Sequence, residues 1–212
     1  MNRILRKEDL PSILALPPAS VCGIDEAGRG PLAGPVCAAA VILPETFPLG
    51  ILDDSKVLSH KKREGAYRRI IEEALDWAVA WATWEEIGAL NILNASLLAM
   101  RRAYEALSLE PAIVLVDGNR PPDLGCPCSA LIDGDALHPS IMAASILAKV
   151  SRDRMMLRLD AVQPEYGFCR HKGYPTREHR RAIRSYGPSL WERPGCAGSL
   201  VPRRLLKRPG GG

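Results

Sequence analysis

Long hydrophobic runs are missing from this sequence: nowhere do its 212 residues string together the ~18 apolar side chains that a membrane-crossing helix requires. The first ten residues mix charged and apolar groups and hold no apolar stretch of the secretion-signal kind. Paired C-x-x-C spacings are absent as well. The six cysteines stand at 22, 37, 126, 128, 169 and 196, and Cys126-Pro127-Cys128 is too short for a usual zinc half-site and has no second half. Cys22 and Cys37 lie in apolar runs and read as small core residues. A reduced, cytoplasmic protein is expected. Internal repeats are absent, and charge is only mildly biased. The formal net charge of +4 favours a polyanionic partner without requiring one. With 47% hydrophobic and 25% charged residues, the composition excludes a disordered chain and supplies a sizeable core.

The apolar pattern alternates between two periods. Residues 1–18 read as a short helix stopped by Pro17-Pro18. Val21 to Asp25 and Val36 to Leu43 read as strands, the second buried throughout. Ser59 caps a predicted helix with Tyr67, Ile70, Ile71, Ala74 and Ala78 on one face. Trp77 to Thr83 reads as a strand, and Asn91 as the cap of a helix striped by Leu93, Leu97, Met100, Tyr104 and Leu107. Ala112 to Val116 and Pro127 to Ile132 are further strands. A long helix follows from Pro139 to about Ala161, with Ile141, Ala144, Ala148, Met155 and Leu159 on one face. A basic helix opens at Thr176 or Arg177 and ends near Tyr186-Gly187-Pro188. Strands first, then alternating helix and strand, predict an α/β fold.

Chemistry concentrates in Gly23-Ile24-Asp25-Glu26-Ala27-Gly28-Arg29-Gly30-Pro31-Leu32-Ala33-Gly34-Pro35. A short apolar run ends in two carboxylates and leads into glycines, prolines and one arginine. Carboxylates at a strand end suit hard divalent metals, and glycines let a backbone approach something bulky. Asp117 and Asp135 also follow strand-like runs, so the acids can converge where neighbouring strands end. Clustered carboxylates repel and raise one another's pKa unless a cation neutralises them. Two ions ~3.5–4 Å apart would remove that cost and clamp both reacting oxygens of a phosphodiester. Two points stay open at this level. Adjacent strand residues face opposite sides, so Asp25 and Glu26 share a site only if the strand ends there or one contributes its carbonyl. Asp133, Asp135 and Asp153 all compete as the fourth acid, and Asp153, between Arg152 and Arg154, reads as a helix-surface ion-pair partner.

The stretch from Gly23 to Pro35 resembles the opening motif of the ribonuclease HII family. Four later segments agree in order: Asp54-Ser55-Lys56, Val116-Asp117-Gly118-Asn119, Ala143 to Val150 with Ser151-Arg152-Asp153, and His171-Lys172-Gly173-Tyr174-Pro175-Thr176. The resemblance implies a ribonuclease H-like fold with a central mixed sheet flanked by helices and a small helical C-terminal part. It implies Asp25, Glu26, Asp117 and Asp135 as catalytic metal ligands for Mn²⁺ or Mg²⁺. Gly28, Arg29 and Gly30 would meet the ribose 2′-hydroxyl, the group that separates RNA from DNA. Tyr174 would pack on the sugar of the following deoxynucleotide, and Lys56, Lys149, His171 and Lys172 are candidate phosphate contacts. The implied activity is an endoribonuclease on RNA–DNA hybrids and on single ribonucleotides in duplex DNA, leaving 5′-phosphate and 3′-hydroxyl ends. A monomeric catalytic domain over 1–189 is expected. After Pro188-Ser189 the sequence departs from the family pattern, and 190–212 is expected as a basic Pro/Gly-rich tail.

Overall fold

Six strands, β1 (Arg3–Leu5), β2 (Val21–Ala27), β3 (Val36–Ile42), β4 (Asp76–Ala82), β5 (Ile113–Asp117) and β6 (Cys128–Leu131), lie in the order β1-β6-β5-β2-β3-β4. The computed structural model describes residues 3–53, 55 and 57–196. From β1 to β2 neighbouring strands are parallel, and β3 and β4 are added antiparallel, so the sheet is mixed. The helices are α1 (Leu10–Leu14), α2 (His60–Glu73), α3 (Trp84–Glu105), α4 (Gly134–Leu137), α5 (Pro139–Val162), α6 (Phe168–His171) and α7 (Arg177–Tyr186).

β3 shows why the sheet sits at the centre. Successive side chains on a strand point to opposite faces, and here both faces are covered. Val36, Ala38, Ala40 and Ile42 pack with Ala95, Ala99, Met100 and Ala103 of α3. Cys37, Ala39 and Val41 pack with Ala143, Ala144, Ile146 and Leu147 of α5 and with Ile70 of α2. A strand buried on both sides reads as a continuous apolar run. β2 and α5 approach very closely: a Cβ on Gly23 would stand 2.2 Å from the Ser140 carbonyl carbon. Glycine is what lets the strand and the start of the helix meet backbone to backbone.

Four sequence expectations are revised. Within 1–18, Arg3–Leu5 forms a strand beside β6, and the helix shrinks to the five residues of α1. A three-residue strand is too short to register a period. α2 ends at Glu73, because Ala74 is already extended (ψ 146) and Ala78 belongs to β4. α3 starts earlier than Asn91, at a Thr83–Glu86 capping box. Asn91 breaks that helix with φ 67, and its Oδ1 accepts the Asn94 amide at 3.1 Å, so its capping role is real but internal. The fourth revision concerns the segment after Ser189. Trp191 is buried in a cluster with Ala33, Met156 and Phe168. The Gly34 amide donates to the Trp191 carbonyl and the Arg193 amide to the Leu32 carbonyl, both at 2.8 Å. Through Arg193, then, the expected tail is laid against 32–34; 197–212 lie outside the described residues.

Candidate active site

Register delivers the first two acids. β2 and β5 are parallel neighbours with Ile24 opposite Val116, which sets Asp25 beside Asp117 just past the last β2–β5 pair, toward the carboxyl edge of the sheet. Open α/β sheets bind ligands at that edge. Asp135 enters from α4, a few residues beyond β6, and its amide donates to Asp117 Oδ1 at 3.2 Å. Gly134 permits this approach, since a Cβ there would stand 2.7 Å from Ile141 Cδ1 and 3.3 Å from Asp117 Oδ1. Carboxylate oxygens of Asp25, Asp117 and Asp135 lie within 4.8 Å of one another. Three clustered hard oxygen donors fit a divalent cation.

Glu26 stands apart from that trio. β2 does not end at Asp25 but continues to Ala27 along β3. Glu26 lines the same cleft, with Oε1 3.5 Å from Arg29 Nη1. Burial, with the charges of Glu26 and Asp117, pushes the Asp25 carboxyl well above its ordinary range. Opposing that rise are hydrogen bonds from Ser145 and from the Glu26 amide, the latter 2.6 Å from Oδ1. Burial also raises Glu26; Arg29 counteracts it and Asp117 adds to it. A bound cation would relieve both groups. Ser145 is itself tied to Ser55, oxygen to oxygen at 2.8 Å. Arg63 secures the Ser55 loop by donating to the Ser55 carbonyl at 2.6 Å and the Leu58 carbonyl at 2.7 Å.

The cleft holds about 290 Å³, and Gly28, Arg29, Gly30, Lys149 and Tyr174 complete its lining. Gly28 has φ 103, and a Cβ on it would fall 2.0 Å from Arg152 Nε. Tyr174 is 41% exposed, with Cε1 3.4 Å from where a Gly30 Cβ would sit. Lys149 pairs with Asp153 at 2.8 Å. Asp153 is thus a helix ion-pair residue, but its partner is Lys149 and neither flanking arginine: Arg154 pairs with Glu64, and Arg152 is buried.

His171 requires a correction. It is buried, its Nε2 lies 2.8 Å from the Tyr166 carbonyl, and Nδ1 accepts the Gly173 amide at 3.2 Å. With both ring nitrogens engaged by backbone, it supports the 171–174 turn and has none left for phosphate. Lys172 turns its ammonium onto the Cys169 carbonyl and does not line the cleft. Lys56 lies outside the described residues. Sequence reasoning missed Ser145, Arg152 and Arg193. For Arg152 a signal existed: it falls four residues after Ala148 and four before Met156, on a buried stripe of α5.

Acids at the carboxyl edge of a mixed sheet, faced by a glycine loop, suit an enzyme that uses divalent metal on a phosphodiester. The chain matches the family model described as Ribonuclease HII over residues 22–196. It is 56% identical over 168 residues to Ribonuclease HII of Burkholderia pseudomallei, covering 79% of this chain and 78% of that relative. The Burkholderia lata Ribonuclease HII is 55% identical over 172 residues, 81% and 80% of the two chains. Among solved structures, ribonuclease H2 from Pyrococcus horikoshii superposes with a TM-score of 0.73 at 26% identity, over 89% of this chain and 99% of that one. RNase HII of Archaeoglobus fulgidus, solved in a complex with PCNA, gives 0.66 at 25% identity over 83% and 94%. This chain belongs to the ribonuclease HII family, ribonuclease H enzymes that act on RNA–DNA hybrids. Among the described residues no helix is long and apolar enough to cross a membrane.

Proposed function

We propose that this protein is a cytoplasmic, monomeric endoribonuclease that cuts the RNA strand of hybrids and also incises duplex DNA on the 5′ side of a single embedded ribonucleotide. The observation that carries this reading is the convergence of Asp25, Asp117 and Asp135 within 4.8 Å, with Asp25 and Asp117 lining one cleft with the Gly28-Arg29-Gly30 loop and Tyr174. The three carboxylates, with Glu26 contributing its side chain or carbonyl, would hold Mn²⁺ or Mg²⁺, and a bound pair of ions would supply water activation and charge neutralisation at the leaving 3′-oxygen. The residues of the chain do the rest. The loop meets the 2′-hydroxyl through close backbone contact, Arg29 and Lys149 face phosphate, and Tyr174 packs on the next deoxyribose. Products carry 5′-phosphate and 3′-hydroxyl ends.

The test is direct. A labelled DNA duplex with one ribonucleotide is incubated with the protein, Mn²⁺ or Mg²⁺, and in a parallel arm EDTA. One cut on the 5′ side of the ribonucleotide, abolished by EDTA, is expected. Cleavage of continuous hybrid with an intact single-ribonucleotide duplex would reduce the reading to hybrid hydrolysis alone.

A further inference from the structure

Arg193 lies in the segment expected to be a tail, yet it is only 2% exposed. Its Nε donates to the Gly34 carbonyl at 2.9 Å, and Nη1 to those of Arg29 at 2.9 Å and Pro31 at 2.8 Å. Nη2 donates to the Gly28 carbonyl and, at 3.4 Å, to that of Pro35. One guanidinium therefore gathers the carbonyls of most of the 28–35 loop. Arg152 joins it, donating to Pro35 at 3.0 Å, Ala33 at 3.3 Å and, across to the other loop of the cleft, Lys172 at 3.1 Å. Burial lowers Arg193 to about 10 and lowers Arg152 as well. At about 10, Arg193 remains a cation at neutral pH.

Peptide geometry turns this anchorage into a statement about the other side of the loop. In a planar trans peptide the carbonyl and the following N–H point in opposite directions. Carbonyls of Gly28 and Arg29 directed onto Arg193 direct the amides of Arg29 and Gly30 away from it. Residues 28–30 line the cleft and Arg193 does not, so the side away from the guanidinium is the cleft side. Lysine has one point charge in place of the planar fork and cannot reproduce such a pattern.

We propose that Arg193 is a positioning residue for ribonucleotide recognition: it draws the carbonyls of Gly28, Arg29 and Pro31 inward and so presents the Arg29 and Gly30 amides to the ribose 2′-hydroxyl. This rests on the ribonucleotide reading above. Its test measures dissociation constants in EDTA, where nothing is cut, for a DNA duplex with one ribonucleotide and for the same duplex in all-DNA form. The ratio of the two is the ribose preference. Arg193→Lys should lower that preference about tenfold, the weight of one well-made contact, and leave all-DNA affinity nearly unchanged. Equal weakening of both, alongside a lower melting temperature, would mean that Arg193 is only a structural strut and would overturn the proposal. A second measurement needs no variant and decides the matter if Arg193→Lys does not fold. In the wild-type ¹H–¹⁵N spectrum, the Arg29 and Gly30 amides should shift with the ribonucleotide duplex and much less with all-DNA. Equal responses would sink the idea. Wild-type protein with no ribose preference would remove the parent reading; a preference kept in Arg193→Lys removes this inference alone.

Discussion

Asp135 hydrogen-bonds Asp117 from the first turn of α4, whereas Asp153 is committed to Lys149. Asp135→Asn should therefore cost at least ~100-fold in kcat, as expected for disturbed metal coordination. Asp153→Asn should cost far less, because it only releases Lys149. Initial rates at saturating Mn²⁺ check the order, and the reverse order would place the wrong carboxylate at the metal. Tyr174, half exposed beside Gly30, gives a second comparison. If its ring packs on a deoxyribose, Tyr174→Ala should lose about tenfold on a single embedded ribonucleotide, within the ~1–3 kcal/mol of a stacking contact. Continuous hybrid should be cut nearly as before, and Tyr174→Phe should match wild type. Equal losses on both substrates with a lower Tm would leave Tyr174 as turn packing. At this scale the sequence announces Asp25 and Asp117 by the strand-like runs before them, whereas it leaves Asp133, Asp135 and Asp153 open and only the resemblance singles out Asp135. Ser145 and Arg193 were not legible, since one was a small polar residue in an apolar run and the other a basic residue among basic residues.

The junction of β2 and α5 is where single substitutions should reach whole elements. Gly23→Ala places a Cβ against backbone, which cannot rotate away as a side chain would. A loss of ~3 kcal/mol is expected, about 6–12 °C in Tm for a chain of this size. A melt within 2 °C of wild type would show that strand and helix separate easily. His138 caps the same helix, its buried Nδ1 accepting the Ser140 amide at 3.3 Å. Burial lowers its pKa to about 4. The unfolded chain takes up that proton near pH 6.5 and the folded one does not, so stability is complete above 6.5 and drains as pH falls toward 4. The depression amounts to as much as ~3 kcal/mol. His138→Asn, which keeps a capping oxygen and does not titrate, should flatten that part of the Tm-against-pH curve. An unchanged slope would assign the acid sensitivity elsewhere. Two elements were readable directly, β3 as an unbroken apolar run and α5 from its length and its apolar content. Those decided by a few residues were not: β1 is too short for a pattern, and the first third of α3 hid behind the strong cap at Asn91.

Across the whole molecule, composition and pattern reached α/β, and the five ordered motifs reached the family. What they left out was closure. The first acidic pair sits on the second strand, yet the residue that gathers its loop comes 165 positions after Gly28. Contacts so distant along the chain form late, because loop closure must precede them. In refolding, the acidic cluster, assembled from residues 25 to 135, should regain Mn²⁺ binding before preference for ribonucleotide duplex returns. Simultaneous recovery would contradict the sequence of events. During synthesis the same order holds by necessity, since ribosomes release the N-terminal part first. A chain still being translated can carry its complete set of acids while the loop that Arg193 gathers is still unformed. An anchor at residue 193 thus sets the final shape of the 28–35 loop after the acids have come together.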